Sequence, residues 1–418
     1  MPLELGRLHP DPTPEQRELV LRARELGREK FAPRAEKYDR EGSFPFENYD
    51  DLRDAGFLGL TIPKSYGGLG ADFETYCMVS AELGRWCGTT ALTFNMHAAT
   101  LLWSNQMADD MPMTDEQRKT HEKRRAMLYE KVTKDGSIFA QPFSEPNTAA
   151  AAGKSPFGTT AKRTDGGWIV NGVKHFASLS GAANYYGLLC TEDQGPDVEQ
   201  SPKDTMYLAV PADSDGVTIS GEWDVLGMRG TVSKTITFKD VFVPEDFMVL
   251  PTGLYYHGAR YWPHMFTTLC PTYLGLSQAA FDFTMNYLTG NIEGGPPKGG
   301  EARLSPAKQM SIAEMRVKLE QSKALFYRVI KEARYKPERS DRLRAYCSQI
   351  TVMEGANDIC RLAIRTCGGR TIFKKYPLER YYRDSRCGSL MLPWTPEICM
   401  ERLGRESVQD PGEVEPLD

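Results

Sequence analysis

The stretch Phe139-Ala-Gln-Pro-Phe-Ser-Glu-Pro-Asn147 marks the point at which the pattern of the chain changes. Before it, apolar residues recur with helical spacing. After it come short β-prone runs bounded by Gly and Asp, which continue to Val241-Phe-Val-Pro244 and are followed by longer helical segments. This order predicts an α+β fold, mainly α, in which a compact β block holds something against the helices.

The same change of pattern divides the 418 residues into three domains and a tail. We expect an N-terminal α-helical domain over 1–137, a middle β-barrel or sandwich domain over 138–247, and a C-terminal helical bundle over 248–405. The acidic, proline-containing residues 406–418 are predicted to be a disordered tail.

Individual elements follow from local signals. Thr13, Pro14 and Gln16 form a predicted capping box at the start of the first helix. Further helices are predicted at 49–55, 73–85, 89–104, 307–336, 339–367 and 396–405. Strands are predicted at 167–172, 185–190, 206–210, 217–220 and 235–238. The Gly- and aromatic-rich residues 251–261 are predicted to be a loop.

The composition excludes several functions. A net charge of −5 gives no reason to expect binding to nucleic acid or to an anionic membrane. No apolar run approaches the roughly 18 residues of a membrane span, and the first residues lack the pattern of a secretory signal. Nine scattered cysteines without a CxxC pair predict free thiols in a reducing cytoplasm. Six scattered histidines without HExxH predict no metal site.

Five motifs occur in order along the chain. They are Gly56-Phe-Leu-Gly-Leu-Thr-Ile-Pro-Lys-Ser-Tyr-Gly-Gly-Leu-Gly70, Phe143-Ser-Glu-Pro146, Val170-Asn-Gly-Val-Lys-His-Phe-Ala-Ser178, Gly227-Met-Arg-Gly-Thr231 and Tyr376-Pro-Leu-Glu-Arg-Tyr-Tyr-Arg-Asp384. Each is weak alone, but together and at these separations they resemble the signatures of the acyl-CoA dehydrogenase superfamily. The resemblance spans nearly the whole chain and implies an FAD-dependent oxidoreductase.

The resemblance also implies a flavin site. The hydroxyls of Ser144 and Ser178 would hydrogen-bond the reactive edge of the ring, and Phe176 stands where the family usually has tryptophan. The other implied cofactor positions are Gln141, Phe143, Gly368, Gly369, Thr395 and Glu397. Read without the resemblance, Ser144 belongs to a strand-ending turn, Phe176 to the core, and Thr395 to a helix cap.

The chain departs from the family near the cofactor diphosphate. The family's Arg-x-x-Phe-Gly segment is replaced by the Gly/Pro-rich residues 290–300, so that Arg303 is the nearest substitute. The glutamine before the Gly-Gly pair is Arg365, whose charge could serve the diphosphate. The alternative is a solvated arginine at a helix end. The family's Gly-Ser-Asp, which offers a hydroxyl to CoA, is Ala149-Ala-Ala151.

The decisive departure concerns the catalytic base. Removal of the α-proton of a thioester requires a carboxylate, yet the family's glutamate position falls here on Leu392 or Pro393. The alternative glutamate position of the family falls near Met265. His97, in an apolar helix, is the predicted replacement, with a satisfied core histidine as the alternative. Other candidates are Tyr256, His257, Tyr261 and His264. The predicted substrate pocket comprises Met265, Met391, Leu392 and Trp394.

Three functions remain open at this point. The first is an acyl-CoA dehydrogenase with an unconventional base, which passes electrons to an electron-transfer flavoprotein. The second is a flavin-dependent oxygenase that uses O2 on a CoA ester or another small molecule. The third is a non-catalytic flavin-binding scaffold. By resemblance, the substrate is a CoA thioester and the assembly a homodimer or homotetramer.

Overall fold

The computed structural model describes residue 9, residues 12–151 and residues 153–409. Within these residues an N-terminal helical part, a central β-sheet and a C-terminal helical part follow one another along the chain, as the sequence predicts.

The N-terminal part is helical from the predicted capping box onward. The Thr13 hydroxyl accepts the backbone N–H of Gln16, and the Gln16 side chain accepts the backbone N–H of Thr13. Its helices are α1 (Pro14–Leu26), α2 (Ala32–Glu41), α3 (Phe46–Asp54), α4 (Phe73–Trp86), α5 (Gly88–Ser104), α6 (Gln106–Asp110) and α7 (Asp115–Thr133).

Eight strands of the central part are joined by hydrogen bonds into one sheet. They are β1 (Phe139–Ala140), β2 (Thr160–Thr164), β3 (Gly167–Ala177), β4 (Tyr185–Asp193), β5 (Thr205–Pro211), β6 (Val217–Ser220), β7 (Lys234–Pro244) and β8 (Met248–Leu250), with the short helix α8 (Thr148–Ala151) after β1. The order across the sheet is β6-β7-β3-β2-β4-β5-β8, and β1 pairs in parallel with β4. β4 and β5 are buried along most of their length, so they form the centre of the block.

The C-terminal part is again helical. Its helices are α9 (Leu254–Tyr261), α10 (Cys270–Leu288), α11 (Pro306–Glu332), α12 (Arg339–Cys367), α13 (Leu378–Gly388) and α14 (Pro396–Val408). The predicted loop at 251–261 is wrong, because most of it forms α9. The predicted disordered tail is wrong at its start, since residues 406–408 complete α14, and residues 410–418 lie outside the described residues.

The two helical parts meet where α10 packs against α4. A Cβ on Gly275 would lie 2.1 Å from the carbonyl oxygen of Ala81, and one on Gly84 would lie 2.6 Å from that of Thr272. Glycine at both positions therefore permits the close approach of the two backbones. This contact fixes α10 relative to the N-terminal helices.

Two further findings concern the state of the cysteines and the character of the helices. All nine cysteines are free thiols, as predicted. Among the described residues, no helix combines the length and apolar character needed to cross a membrane.

Candidate functional site

Residues 139–147 run from the centre of the sheet towards β3. Phe139 pairs with Tyr185 of β4. Five residues later, the carbonyl oxygen of Ser144 accepts the backbone N–H of His175 at 2.8 Å. The segment predicted to border the flavin therefore lies beside the strand that carries Phe176 and leads into Ser178.

His97 holds the start of this segment. Its Nδ1 accepts the backbone N–H of Phe139 at 3.0 Å, and its Nε2 lies 2.8 Å from the carbonyl oxygen of Leu58. These two bonds require a neutral ring with the proton on Nε2. Burial lowers the pKa of His97 to about 4, although the Leu58 carbonyl raises it. The structure thus places His97 in the core with both nitrogens engaged, as in the alternative interpretation, so that neither nitrogen is available to act as a base.

A buried ion pair holds the middle of the segment. The Nζ atom of Lys174 donates to Oε1 of Glu145 at 2.7 Å, and both side chains are buried. The same carboxylate accepts the backbone N–H groups of Gly158 and Thr159 at 2.7 and 3.0 Å. Burial raises the pKa of Glu145, but the charge and hydrogen bond of Lys174 and the bonds from Thr159 outweigh it and lower the pKa. The carboxylate is therefore ionised and structural.

Phe176 projects away from the core at the end of β3. It has a positive φ of 52° and is 70% exposed, and its ring meets that of Trp223 edge to face at 6.1 Å. An aromatic residue in the left-handed region is uncommon, and such strain is typical of functional sites. The alternative that Phe176 belongs to the core is wrong. An exposed, fixed ring at this position can pack against a planar ligand.

Ser178 lies at the end of a chain of hydroxyl groups. Its Oγ is 2.8 Å from Oγ of Ser233, which is 2.8 Å from Oγ1 of Thr231. Thr231 donates to the carbonyl oxygen of Met228 at 2.9 Å. Because a carbonyl only accepts and each hydroxyl has one hydrogen, all three hydroxyls donate towards Met228. Ser178 is therefore left as an acceptor towards any ligand.

Two further residues of the predicted flavin edge are Ser144 and Gln141. Ser144 is half-buried, and its hydroxyl has no hydrogen-bond partner within the described part of the chain. The amide of Gln141, which is buried, donates to the hydroxyl of Tyr207 at 2.7 Å. An unpartnered hydroxyl, a hydroxyl oriented to accept and an exposed aromatic ring thus lie on two segments that the Ser144–His175 backbone bridge joins.

A pocket opens beside Phe143, between the sheet and the C-terminal helices. It contains about 910 Å³ of space, counted out to its opening to solvent. Its aromatic walls are formed by Phe143, Phe157, Tyr255, Tyr256, Phe266 and Trp394. Ligand sites are commonly concave and lined in this way.

The expected base position lies at this pocket and carries no base. Pro393 and Trp394 line it, and among the described lining residues Glu401 is the only carboxylate. Glu401 is 3.9 Å from the Lys154 ammonium, and both side chains are mostly exposed. Met391 and Leu392 are half-buried and Met265 is buried, but these three are not among the lining residues. Of the predicted pocket residues, the structure therefore brings only Trp394 to the cavity.

The remaining predicted cofactor residues lie on other elements. Arg365 is exposed near the end of α12, followed by Gly368 and Gly369, where an added Cβ would meet nothing within 4 Å. Arg303 is exposed in the turn before α11. Thr395 caps α14 by accepting the N–H of Ile398 at 3.4 Å, and Glu397 is exposed in its first turn.

The chain matches three successive family models. They are the N-terminal domain of acyl-CoA dehydrogenase over residues 13–128, the middle domain over 140–241 and the C-terminal domain over 267–390.

The chain belongs to the acyl-CoA dehydrogenase family.

Relatives and solved structures extend this match over most of the chain. The putative acyl-CoA dehydrogenase YdbM of Bacillus subtilis (strain 168) is 27% identical over 392 residues, covering 91% of this chain and 94% of the relative. KijD3, solved with FMN and a dTDP-linked amino keto sugar, has a TM-score of 0.81 at 21% identity, covering 98% of this chain and 97% of its own. Dibenzothiophene monooxygenase TdsC of Paenibacillus sp. A11-2 has a TM-score of 0.77 at 19% identity, covering 94% and 97% respectively. At these identities the structural likenesses establish the fold.

Sequence reasoning named Tyr256 as a candidate base but missed the helix that carries it, and with it Tyr255 and Arg260, as one wall of the pocket. Tyr255, Tyr256 and Arg260 line the cavity from α9, in a segment predicted to be a loop. The spacing of Tyr256 and Arg260, four residues apart, is a helical signal that the glycines at 253 and 258 obscured. The pocket therefore includes α9, which lies between the residues that match the middle-domain and C-terminal family models.

Proposed function

We propose that this protein is a flavin-dependent monooxygenase built on the acyl-CoA dehydrogenase fold. The observation that carries the proposal is the aromatic pocket beside Phe143, in which Pro393 and Trp394 occupy the region of the expected glutamate. Desaturation of a thioester needs a base there. Oxygen transfer to a substrate does not need a carboxylate aimed at a carbon-bound hydrogen.

The direction of the hydroxyl chain supports this proposal. Ser178 is left to accept a hydrogen bond, because Ser233 and Thr231 pass their hydrogens towards the Met228 carbonyl. A flavin carries hydrogen on its central ring nitrogen only when reduced. The chain's own residues therefore favour the reduced cofactor, which supplies two electrons to O2. With two protons, one oxygen atom enters the substrate and the other leaves as water.

The flavin itself is FAD by resemblance to the family. KijD3 was solved with FMN, so both flavins are candidates. Ser144, Ser178 and Phe176 would hold the ring system common to both. Arg365, Gly368 and Gly369 would serve only the diphosphate and adenosine of FAD.

A second candidate is an acyl-CoA dehydrogenase that acts on a CoA thioester and passes electrons to an electron-transfer flavoprotein. The likeness to YdbM, itself named a putative acyl-CoA dehydrogenase, favours it. This function requires a base that the described lining residues do not supply near Phe143. A flavin-binding scaffold without catalysis is the third candidate, and the oriented Ser178 hydroxyl counts against it.

We further propose a cytoplasmic homodimer or homotetramer. Large apolar side chains are exposed on α11, in the turn before it and in the turn after α12, which favours burial against a second copy. They are Leu304, Met310, Val317, Ile372 and Phe373. Arg303 and Arg365 are then candidates to reach the flavin of a neighbouring copy.

The test supplies the flavin-loaded, reduced protein with ¹⁸O2 and a panel of candidate substrates that includes aromatic heterocycles and acyl-CoA thioesters. We expect one ¹⁸O atom in the product and one in water, with consumption of one reduced flavin equivalent. Reoxidation that gives only hydrogen peroxide with every substrate, together with formation of an enoyl-CoA without oxygen, would overturn the proposal in favour of the dehydrogenase.

A further inference from the structure

Tyr255 of α9 places a phenol in the wall of the pocket. The centroid of its ring lies 6.1 Å from that of Phe143, the residue that directly precedes Ser144 of the predicted flavin edge. The ring centroid is also 4.7 Å from that of Trp103 and 5.7 Å from that of Tyr207. Tyr255 is only 6% exposed, and it lines the cavity. Three neighbouring rings therefore hold the phenol in one place beside the flavin segment.

A glycine allows α9 to lie this close to α5. A Cβ on Gly258, one turn after Tyr255, would lie 2.6 Å from the ring of Trp103 and 2.4 Å from the terminal methyl group of Met111. Both distances are shorter than van der Waals contact, so a larger residue would push α9 away from α5, and Tyr255 with it. The position of the phenol in the pocket wall thus depends on this close approach.

The hydroxyl of Tyr255 has no hydrogen-bond partner within the described part of the chain. The neighbouring phenol of Tyr207 differs, because its hydroxyl accepts an amide N–H of Gln141 at 2.7 Å. Buried polar groups are normally hydrogen-bonded, and a phenylalanine would fill the same space without an unpaired hydroxyl. The Tyr255 hydroxyl is therefore available to a ligand in the cavity.

The surroundings of this hydroxyl determine which acceptor it suits. Burial raises the pKa of Tyr255 well above its ordinary value, so the phenol keeps its proton at neutral pH and has a hydrogen to donate. The three rings that pack against Tyr255 carry no charge, and a charged acceptor among them would lose its hydration without an ionic partner. An uncharged acceptor, such as a carbonyl oxygen or a ring nitrogen, fits this position better.

We propose that Tyr255 determines substrate specificity by donating a hydrogen bond to an uncharged acceptor atom of a planar aromatic substrate. The inference rests on the proposed function in taking the pocket beside Phe143 as the substrate pocket. The bond would set which atoms of the substrate ring face the flavin edge, while the ring packs against the aromatic walls. The phenol proton is not transferred, so Tyr255 orients the substrate and does not act as an acid.

Two pairs of probes with matched shapes test this bond. Quinoline is compared with naphthalene, and indanone with indane, because only the first member of each pair has an acceptor atom. Dissociation constants are measured by equilibrium dialysis against the flavin-loaded, oxidised protein. Tyr255→Phe should weaken the binding of quinoline and indanone about 5- to 10-fold, as expected for the loss of one hydrogen bond. The binding of naphthalene and indane should stay within about 2-fold of wild type.

Three results would overturn the proposal. Equal weakening of all four probes would mean that the substitution damages the pocket. Unchanged binding of quinoline and indanone would mean that the hydroxyl donates to neither of them. No measurable binding of any probe to the wild-type protein would mean that the pocket does not accept planar rings with an acceptor atom.

The unfolding temperature of the ligand-free protein separates this role from a structural one. Because the hydroxyl has no partner among the described residues, Tyr255→Phe should leave that temperature unchanged or raise it. A lowered unfolding temperature would show that the hydroxyl stabilises the fold and would contradict the inference.

Tyr335→Phe provides the matched control. Its hydroxyl lies 2.7 Å from Nε2 of His257 on α9, but Tyr335 is not among the described residues that line the cavity. This variant should bind all four probes as wild type does. If Tyr335→Phe weakens quinoline and indanone as much as Tyr255→Phe does, the effect comes from a shift of α9 and the proposal is wrong.

The outcome is separable from the reaction type. Weakened binding of quinoline and indanone in Tyr255→Phe supports the role of the phenol even if no ¹⁸O enters a product. For a substrate that is oxygenated, the same variant should raise KM about 5- to 10-fold and distribute the ¹⁸O over more positions of the ring. Oxygenation with the KM and the product of wild type would contradict the inference and leave the proposed function intact.

Discussion

Nδ1 of His97 accepts the backbone N–H of Phe139 at 3.0 Å, and this bond joins the buried helix α5 to the first residue of the segment that leads to Ser144. The opposite ring nitrogen reaches the carbonyl oxygen of Leu58. One histidine thus connects the motif at 56–70 with the flavin segment. His97 holds these two segments together and is not among the residues that line the pocket.

His97→Phe should destabilise the fold while leaving the chemistry of the folded fraction unchanged. It orphans two buried backbone groups, at a cost of about 3 kcal/mol in the free energy of unfolding. His97→Gln keeps a donor and an acceptor and should recover part of that loss. The free energy comes from chemical denaturation and kcat from the ¹⁸O assay. A kcat lowered 100-fold with unchanged stability would make His97 a catalytic residue after all.

The same histidine predicts a pH dependence. Its pKa in the fold is about 4, below its ordinary value, so the unfolded chain takes up a proton that the folded chain excludes. The contribution of the neutral His97 ring to the free energy of unfolding is therefore fully present above pH ~6.5 and is lost as the pH falls towards 4. His121 and His264 have pKa values lowered in the same way, by burial. His97→Gln should reduce the slope in this window by up to about 1.4 kcal/mol per pH unit. An unchanged slope would show that the ring is already protonated in the fold.

The Glu145–Lys174 pair yields a prediction about the rigidity of the flavin segment. Glu145→Gln leaves a buried ammonium without its counter-charge and should cost about 3–5 kcal/mol, with loss of bound flavin. Glu145→Gln combined with Lys174→Met should regain part of the stability. Denaturation curves and the flavin absorbance of the purified proteins measure both effects. If the single variant is as stable as wild type, the pair does not brace the segment.

The hydroxyl chain predicts the reduction potential of the flavin. Ser233→Ala removes the acceptor of the Ser178 hydroxyl, which then becomes free to donate to the ligand, so the preference for reduced flavin should weaken. The loss of one hydrogen bond should lower the midpoint potential by about 30 mV, or about 1.4 kcal/mol for two electrons. The control is Ser180→Ala, because the Ser180 hydroxyl donates to the carbonyl of Ala177 and does not belong to the series of hydroxyls that begins at Ser178. A potential that stays the same or rises would contradict the assigned direction.

Substitution of Arg365 should distinguish the binding of FAD from the binding of FMN. If its guanidinium serves the cofactor diphosphate, Arg365→Gln should weaken FAD about 10-fold and leave FMN, which has a single phosphate, nearly unaffected. Arg361→Gln, one turn earlier and also exposed, provides the comparison. Equilibrium dialysis with each flavin gives the dissociation constants. Equal loss of FAD in both variants, or none in either, would show Arg365 to be a solvated helix-end residue.

The sequence predicted most of the fold because its signals are local. The capping box at Thr13 and the alternating strand at 217–220 need only neighbouring residues, and both are confirmed. α9 was missed because its glycines and aromatics resemble a loop until Trp103 of α5 and Tyr207 of β5 pack against Tyr255 and bury it. Tertiary contacts, and not the local helix propensity, determine that this segment forms a helix.

The site was predictable only in part, for a related reason. Ser144, Phe176 and Ser178 follow from motifs, and the structure brings their segments together. The partner of the Ser178 hydroxyl, Ser233, is 55 residues away and has no motif of its own. His97 was assigned as a base because an isolated polar residue in an apolar helix does not reveal which backbone groups its ring meets.

An anaerobic titration tests most directly whether the described lining of the pocket near Phe143 lacks a catalytic base. The flavin-loaded, oxidised protein is mixed without oxygen with saturated acyl-CoA thioesters of short, medium and long chain, and the flavin absorbance is followed. We predict no bleaching and no enoyl-CoA beyond the background of protein-free flavin. Stoichiometric bleaching with formation of the matching enoyl-CoA would show that the chain desaturates thioesters and would contradict the account.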